Sequence, residues 1–155
     1  MHISSKSDYG IRAMLELASA YEVDPNELVR GEYIASAQSI PAKFLEGILR
    51  QLRLAGLVAS RRGVEGGYRL DCDPSKVTIA DIIRVLDGPL ADVHGIRPED
   101  VVYEGASEHL RDVWVAVRAS LRDVLERTTL RDVLIGKLPR ETRRLLDRPD
   151  AWTRR

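Results

Sequence analysis

The chain has 155 residues, 44% of them hydrophobic, which suffices for one compact domain or for a small domain with an appended helix. Basic and acidic side chains both number 24, so the net charge is zero and gives no information about a polyanionic partner. The single cysteine, Cys72, excludes a disulfide framework within the chain. Because no apolar run is long enough to span a membrane and the N-terminus lacks the apolar centre of a signal peptide, we expect a soluble cytoplasmic protein.

The N-terminal third predicts three helices. Apolar residues recur at helical spacing over 5–21, behind Ser5 or Ser7 as the N-cap. Residues 22–31 are polar and predict a loop with a short strand at 28–29, and 32–38 predict a short helix. Ser39 and Pro41 then suit the start of a third helix that ends near Gly56. We expect its inward side chains to be Phe44, Leu45, Ile48, Leu49, Leu52 and Leu54.

The segment RRGVEGGYRL, residues 61–70, follows the strand-like run LVAS and ends in a second such run, YRL. This pattern predicts a β-hairpin with a long glycine-rich tip. A P-loop would need a helix straight after the glycines and a Lys-Ser/Thr pair, and both are missing. Glycines would let the backbone approach a phosphate closely, and Arg61 and Arg62 would supply charge to phosphates or a minor groove. The alternative is a plain surface hairpin.

The C-terminal half predicts further helices. Residues 78–86 form an amphipathic helix capped by Thr78 and stopped by Asp87-Gly88-Pro89. Residues 91–106 are irregular, and 107–127 form the longest helix, followed by a short helix behind Thr128 or Thr129. Residues 139–155 are basic and interrupted by proline, so we expect this tail to fray.

Charge is distributed unevenly along the chain. Residues 39–70 carry six basic and two acidic side chains, whereas 1–38 carry three and six, and 71–136 carry eight and thirteen. Such a patch is typical of nucleic-acid binders, although a solvated helix face would look the same. Three helices followed by a hairpin is the order of a winged helix-turn-helix. We therefore expect a mainly α fold with a small β-hairpin: a winged helix-turn-helix domain over 1–90, a connecting loop over 91–106, and a long C-terminal dimerisation helix with its short follower over 107–138.

Four segments resemble the Rrf2 family of bacterial transcription regulators: SSKSDYGIRAMLELA (4–18), IPAKFLEGILRQLRLAGLVASRRGVEGGYRL (40–70), TIADIIRVLDGPL (78–90) and VWVAVRASLRDVLERTTLRDVL (113–134). The resemblance implies a homodimer that binds double-stranded operator DNA, most often as a repressor. It also implies that the long helix crosses its partner and buries Leu110, Val113, Trp114, Val117, Leu121 and Val124. Periodicity alone shows only that this stripe is buried somewhere, and a monomer core remains the alternative.

The resemblance carries a DNA-binding set onto matching positions. Residues at the start of the first helix would touch phosphates, Lys43 would reach guanine or phosphate, and Glu46 would accept from cytosine N4. Arg62 matches the arginine of the family's wing. The full set is Ser5, Lys6, Tyr9, Pro41, Ala42, Lys43, Phe44, Glu46, Arg50, Arg61, Arg62 and Gly66.

The chain departs from the cluster-bearing members of the family, which have three cysteines between the Asp-Gly-Pro and the long helix. Residues 91–106 contain none, and Asp8 and His94 lack thiolate partners. We expect no cofactor, no metal and no control by an iron–sulfur cluster. Segment 91–106 is then a candidate site for a small-molecule effector or a protein partner.

The main expectation is therefore a DNA-binding regulator without cluster control, and three alternatives to it remain. The first is a metabolite- or partner-controlled regulator of sulfur or cysteine metabolism, by analogy with the cysteine-poor branch of the family. The second is an adaptor that has lost DNA binding, which the basic side chains of 39–70 disfavour. An enzyme is the third and is not expected, because no serine–histidine–acid set occurs at persuasive spacing.

Overall fold

Seven α-helices and one two-stranded hairpin make up residues 2–153, the part of the chain that the computed structural model describes. Two single 3-10 turns, Pro98–Asp100 and Gly105–Ser107, lie between the fourth and fifth helices. The predicted fold class, mainly α with a small β-hairpin, is confirmed. The elements in chain order are α1 (Ser5–Val23), α2 (Gly31–Gln38), α3 (Ala42–Leu54), β1 (Val58–Arg61), β2 (Gly67–Leu70), α4 (Ile79–Asp87), α5 (Leu110–Leu125), α6 (Leu130–Leu134) and α7 (Arg140–Leu146).

The core lies where α1, α3, α4 and the hairpin meet. Helix α1 approaches α4 so closely that a Cβ at Gly10 would overlap Leu86 Cδ1. Leu130 of α6 is fully buried in this same core, so the chain after α5 returns to pack on α1. The largest fully buried apolar side chains are Met14, Leu17, Ile34, Leu45, Ile48, Leu49, Leu52, Leu70, Ile82 and Leu130.

The hairpin is antiparallel, with Val58 opposite Leu70 and Arg61 opposite Gly67. The short strand predicted at 28–29 is present as one bridged residue, Val29, which pairs with Tyr68 of β2. The Val29 N–H donates to the Tyr68 carbonyl at 2.8 Å, and the Tyr68 N–H donates back at 2.8 Å. Val29, just before α2, therefore pairs with the outer edge of β2 as a single-residue third strand.

Two predicted N-caps lie elsewhere. Helix α1 is capped by Ser4 rather than Ser5 or Ser7, because the Ser4 hydroxyl accepts from the Ser7 N–H at 2.9 Å. Ser39 ends α2 in the left-handed conformation, with φ 51°, instead of starting α3. Pro41 occupies the N-cap of α3, and no side chain caps that helix.

The buried face of α3 is narrower than predicted. Leu45, Ile48, Leu49 and Leu52 are at most 2% exposed, but Phe44 is 51% and Leu54 71% exposed. Spacing of i, i+3, i+4 and i+7 places the three buried leucines and the buried isoleucine on one stripe, and Phe44 and Leu54 lie beside it. The prediction that both face the core is wrong, and Phe44 is left exposed at the start of the helix.

Helices α4 and α6 begin with the same capping box. Thr78 and Asp81 form it on α4, and Thr129 and Asp132 form it on α6. Thr78 and Thr129 also form a β-bridge with each other. The Ile79 N–H donates to the Thr128 carbonyl and the Leu130 N–H to the Val77 carbonyl, both at 2.9 Å.

The C-terminal elements differ from the prediction in extent. Helix α5 spans Leu110–Leu125 instead of 107–127, and its sixteen residues, all described, include no buried side chain. The expected fraying does not hold for Arg140–Leu146, which form α7. Pro139 stands at its N-cap, and the Thr142 hydroxyl lies 3.4 Å from that of Thr128 in a buried contact, so α7 is fixed to the end of α5.

Candidate nucleic-acid interface

An open cleft of about 970 Å³ separates α3 from the hairpin. Its walls are the exposed face of α3 on one side and the hairpin tip on the other, and the start of α2 adjoins both. Two acidic residues, Glu32 and Glu46, contribute to the lining. Six basic residues outnumber them: Arg30, Lys43, Arg50, Arg53, Arg61 and Arg62. The cleft therefore concentrates positive charge in a chain with no net charge.

Helix α3 presents its charges on one face because of their spacing. Lys43, Glu46, Arg50 and Arg53 follow one another at intervals of three or four residues, and all four are exposed and line the cleft. The apolar stripe on the opposite face holds the helix against α1 and α4. Pro41, Ala42 and Phe44 are exposed at the start of the same helix, and Ala42 also lines the cleft.

An aromatic contact joins the start of α1 to the start of α3. The rings of Tyr9 and Phe44 meet edge to face, with centroids 6.0 Å apart and planes at 87°. The Arg12 guanidinium lies over the Tyr9 ring, 4.9 Å from its centroid. This group lies where the starts of α1 and α3 meet, with Phe44 exposed and Tyr9 and Arg12 half-buried.

The two other predicted residues of α1 have different surroundings. Ser5 is exposed, whereas the Lys6 ammonium donates to the backbone carbonyl of Leu86 at the end of α4. Next to it, Ser4 and Ser7 both donate to the Asp87 carboxylate, the latter at 2.6 Å. Burial alone would raise the pKa of Asp87, but these hydrogen bonds and the charge of Lys6 bring that pKa below its ordinary value.

The glycines of the hairpin tip serve the hairpin itself. A Cβ at Gly66 would overlap the carbonyl oxygen of Arg61, and Gly63 has a φ of 103°, so the tight tip requires both. A Cβ at Gly67 would lie 2.7 Å from the Val29 oxygen. The tip presents Arg61 and Arg62, both exposed and both in the lining of the cleft.

Two basic residues of the cleft, Arg30 and Arg53, were absent from the set predicted from sequence. Arg53 continues the spacing of Glu46 and Arg50 and could have been found from it. Arg30 could not, because it lies in a polar segment with no periodic pattern. Its Nη2 donates to the Val64 carbonyl at the hairpin tip, at 2.8 Å.

A metal or a cluster would need several ligands close together. Within residues 2–153 no three His, Cys, Asp or Glu side chains are grouped in a way that could hold a metal ion. Burial raises the pKa of the Cys72 thiol, and the carboxylates of Asp71, Asp73 and Asp81 raise it further. None of the helices in that same range is long and apolar enough to cross a membrane.

Comparison with known proteins explains this arrangement. The model of the Rrf2 family, described as an iron-dependent transcriptional regulator, matches residues 3–135. The chain belongs to the Rrf2 family. Among its relatives, a Mycobacterium tuberculosis protein, named provisionally as an HTH-type transcriptional regulator, is 46% identical over 147 residues, covering 95% of this chain and 89% of that protein. The HTH-type transcriptional regulator CymR of Bacillus subtilis is 38% identical, over 86% of this chain and 89% of CymR.

Solved structures of Rrf2 regulators share the fold. The structure of CymR, titled the global cysteine regulator of B. subtilis, has a TM-score of 0.73 and 35% identity, covering 88% of this chain and 98% of CymR. The structure of T. potens IscR has a TM-score of 0.69 and 34% identity, covering 88% of each chain. In the winged helix fold of these DNA-binding regulators, α3 stands at the position of the recognition helix and the β1–β2 hairpin at that of the wing.

Because the Rrf2 family is described as iron-dependent, the side chains that this chain could offer to an iron–sulfur cluster are relevant. Iron–sulfur clusters are held mainly by several thiolates. This chain has one cysteine, and the raised pKa of its thiol disfavours the thiolate. The residues present therefore do not fit a cluster.

Proposed function

We propose that this Rrf2 regulator is a homodimeric, sequence-specific repressor that acts in the cytoplasm, has no enzymatic activity and is not controlled by an iron–sulfur cluster. The observation that supports DNA recognition most strongly is the cleft of about 970 Å³ with six basic and two acidic side chains. Its walls are the two elements that a winged helix-turn-helix places on DNA.

Each wall of the cleft has its own task in this proposal. Lys43, Glu46 and Arg50 on α3 read base edges in the major groove, where Glu46 accepts from cytosine and the cations reach guanine or phosphate. Arg61 and Arg62 bind phosphates or the minor groove beside it. Contacts to the flanking DNA backbone come from the starts of α1 and α3, through Ser5, Tyr9, Pro41, Ala42 and Phe44. Lys6 and Gly66 act within the protein, on Leu86 and on the hairpin tip.

Helix α5 is the proposed dimer element. None of its residues, all within the described part of the chain, is buried in the single subunit. Leu110 and Val113 are 36% and 51% exposed, and Trp114, Val117, Leu121 and Val124 are half-buried. The helix packs mainly against the Pro98–Asp100 turn of segment 91–106, and, within the described chain, only Leu125 at its C-terminal end packs against the core. A second copy of α5 would remove this apolar stripe from water.

Segment 91–106 is the proposed site of control. It is irregular but fixed to α5: Arg118 forms an ion pair with Glu99, and Trp114 Nε1 donates to the Tyr103 hydroxyl at 3.2 Å. An effector or partner that binds this segment can therefore shift α5 and, in a dimer, the spacing of the two recognition helices. The second candidate function is a regulator of cysteine or sulfur metabolism, which the likeness to CymR supports.

Selection of bound duplexes from a random pool tests the proposal. A homodimer should enrich a sequence with two-fold symmetry and half-sites about one helical turn apart. Affinity for the enriched duplex and for a scrambled duplex should be measured between 50 and 200 mM salt, since non-specific binding depends strongly on salt. Repression is then tested by placing the enriched sequence across a promoter. Failure to enrich any sequence, together with no binding at low salt, would favour the adaptor that has lost DNA binding.

A further inference from the structure

The wing is attached to the start of α2 by two sets of hydrogen bonds. Val29 and Tyr68 exchange backbone bonds, both 2.8 Å long, near the start of β2, where this strand leaves the tip. At the tip, Arg30 Nη2 donates to the Val64 carbonyl, also at 2.8 Å. Arg30 and Val64 are 34 residues apart in sequence, and both are exposed. The bond therefore spans the mouth of the cleft rather than the core.

The charges of the cleft oppose its closure in the absence of DNA. Arg61 and Arg62 on the wing face Lys43, Arg50 and Arg53 on α3 across an open cleft. Like charges repel each other, so without a restraint the wing would move outward. The backbone bonds of Val29 hold the start of β2, whereas the Arg30 side chain reaches the tip residue Val64 itself.

We infer that Arg30 is a positioning residue for the wing: through the Val64 carbonyl it sets the distance between the wing arginines and α3, and thereby the affinity for the operator. The inference rests on the proposed function, since it assumes that the cleft binds DNA. Arg30 acts in it through Val64 and Arg62, and not by a phosphate contact of its own.

The first measurement uses no DNA. Trypsin cleaves after Arg61 and Arg62, which are exposed on the wing, and cleavage requires the segment to leave its folded geometry. Arg30→Ala should raise the rate of cleavage at these two sites about tenfold. Arg30→Lys, which keeps a donor on a long side chain, should restore most of the protection. Cleavage after Lys137, in the exposed connection between α6 and α7, is the internal reference and should not change.

The second measurement is a double-mutant cycle on the duplex that wild type selects. Arg30→Ala and Arg62→Ala should each weaken binding about tenfold. In the Arg30→Ala background, Arg62→Ala should cost only about threefold or less, because the arginine is already displaced. The salt slope of Arg30→Ala should match that of Arg62→Ala, since the contact that is lost is the one made by Arg62.

Arg53→Ala is the matched control. It removes one positive charge from the same cleft, and the structure of residues 2–153 records no hydrogen bond from Arg53 to the wing. Its effect should add to that of Arg62→Ala without coupling, and wing cleavage should stay at the wild-type rate. Unchanged circular dichroism and thermal midpoint should accompany both variants, because both side chains are exposed.

Four results would overturn the inference. Additive effects with a salt slope reduced by about one would make Arg30 a phosphate contact. Unchanged affinity of Arg30→Ala would remove its role in binding, whether or not wing cleavage becomes faster. Weaker binding without faster cleavage would remove the role of the Val64 bond. If wild type selects no duplex, the proposed function itself fails, which differs from a wild type and an Arg30→Ala variant that bind alike.

Discussion

The Ser7 hydroxyl donates a hydrogen bond of 2.6 Å to the Asp87 carboxylate and so joins the first turn of α1 to the last residue of α4. Ser4 donates to the same oxygen, and Lys6 donates to the neighbouring carbonyl of Leu86. The carboxylate also lies at the N-terminal end of α1, where the helix dipole favours negative charge. Asp87 thus holds the start of α1, and with it Tyr9, in place beside the recognition helix.

We predict that Asp87→Asn destabilises the fold in a pH-dependent way. The pKa of Asp87 is lowered by its hydrogen bonds, so its contribution is fully present above the unfolded pKa, about 3.9, and is lost as pH falls through the lower folded value. Urea unfolding of both proteins from pH 3 to 7 should give a constant difference in unfolding free energy above about pH 5 and a shrinking difference below about pH 4. A difference that is the same at every pH would contradict the role of the charge.

Arg62→Ala should weaken operator binding. Loss of a base contact would cost about 1–3 kcal/mol and relax specificity at one position, whereas loss of a phosphate contact would weaken all sequences and flatten the salt slope by about one. Fluorescence anisotropy at several salt concentrations separates the two cases. Arg127→Ala, at the end of α5, removes an equal charge outside the cleft and should have little effect. Equal affinity of Arg62→Ala and wild type at low and high salt would exclude the wing from recognition.

Gly66→Ala should distort the wing and leave the helical core folded. The added methyl group would overlap the Arg61 carbonyl oxygen and lie 2.8 Å from that of Gly63, and both are backbone atoms that cannot turn away. We expect operator affinity to fall at least tenfold while the far-ultraviolet circular dichroism remains that of a mainly helical protein. Wild-type affinity would show that the tip can rearrange without cost.

Val113→Asp should weaken the dimer. Val113 is 51% exposed in the single subunit, so a charge there costs little in the monomer but would be buried between two copies of α5. Ala119→Asp, on the opposite side of the same helix, is the control and should leave the dimer intact. Sedimentation at micromolar concentration measures both. A monomeric wild type would contradict the proposed assembly directly.

The protein should be colourless and free of iron and sulfide when purified without oxygen. One thiol per chain, with a raised pKa, cannot supply the thiolates that a cluster needs. Absorbance in the visible region and chemical assays for iron and sulfide provide the measurement. Stoichiometric iron and sulfide with a visible band would overturn cluster-independent control.

Local sequence patterns predicted much of this fold. Apolar spacing located the helices, the glycine-rich run located the hairpin, and Thr78 correctly marked the start of α4. Patterns failed where two signals competed for one position. Ser39 suits an N-cap, but the left-handed turn that closes α2 uses it first, and Pro41 then starts α3.

The candidate site was predictable only where its residues lie on one element. The charged face of α3 follows from spacing within a helix, and the wing arginines follow from the hairpin. Arg30 enters the cleft because Val29 pairs with Tyr68, and a bridge between residues this far apart leaves no periodic trace in the sequence. Helix α7 was not predicted either. It is held by the buried contact of Thr142 with Thr128, and a contact between separate elements leaves no periodic pattern in the sequence.

The bridge between Thr78 and Thr129 makes the chain from α4 to α6 a closed mechanical loop. It leaves the core after Asp87 and returns at Thr128, directly beside the start of α4, and Arg84 of α4 pairs with Glu126 just after α5. A helix held only by a flexible tether could turn without moving the domain that it serves. Because both ends of this loop are joined to α4, we expect a displacement of α5 to shift α4 as well. Through the hydrogen bonds of Asp87, the shift would also reach the start of α1.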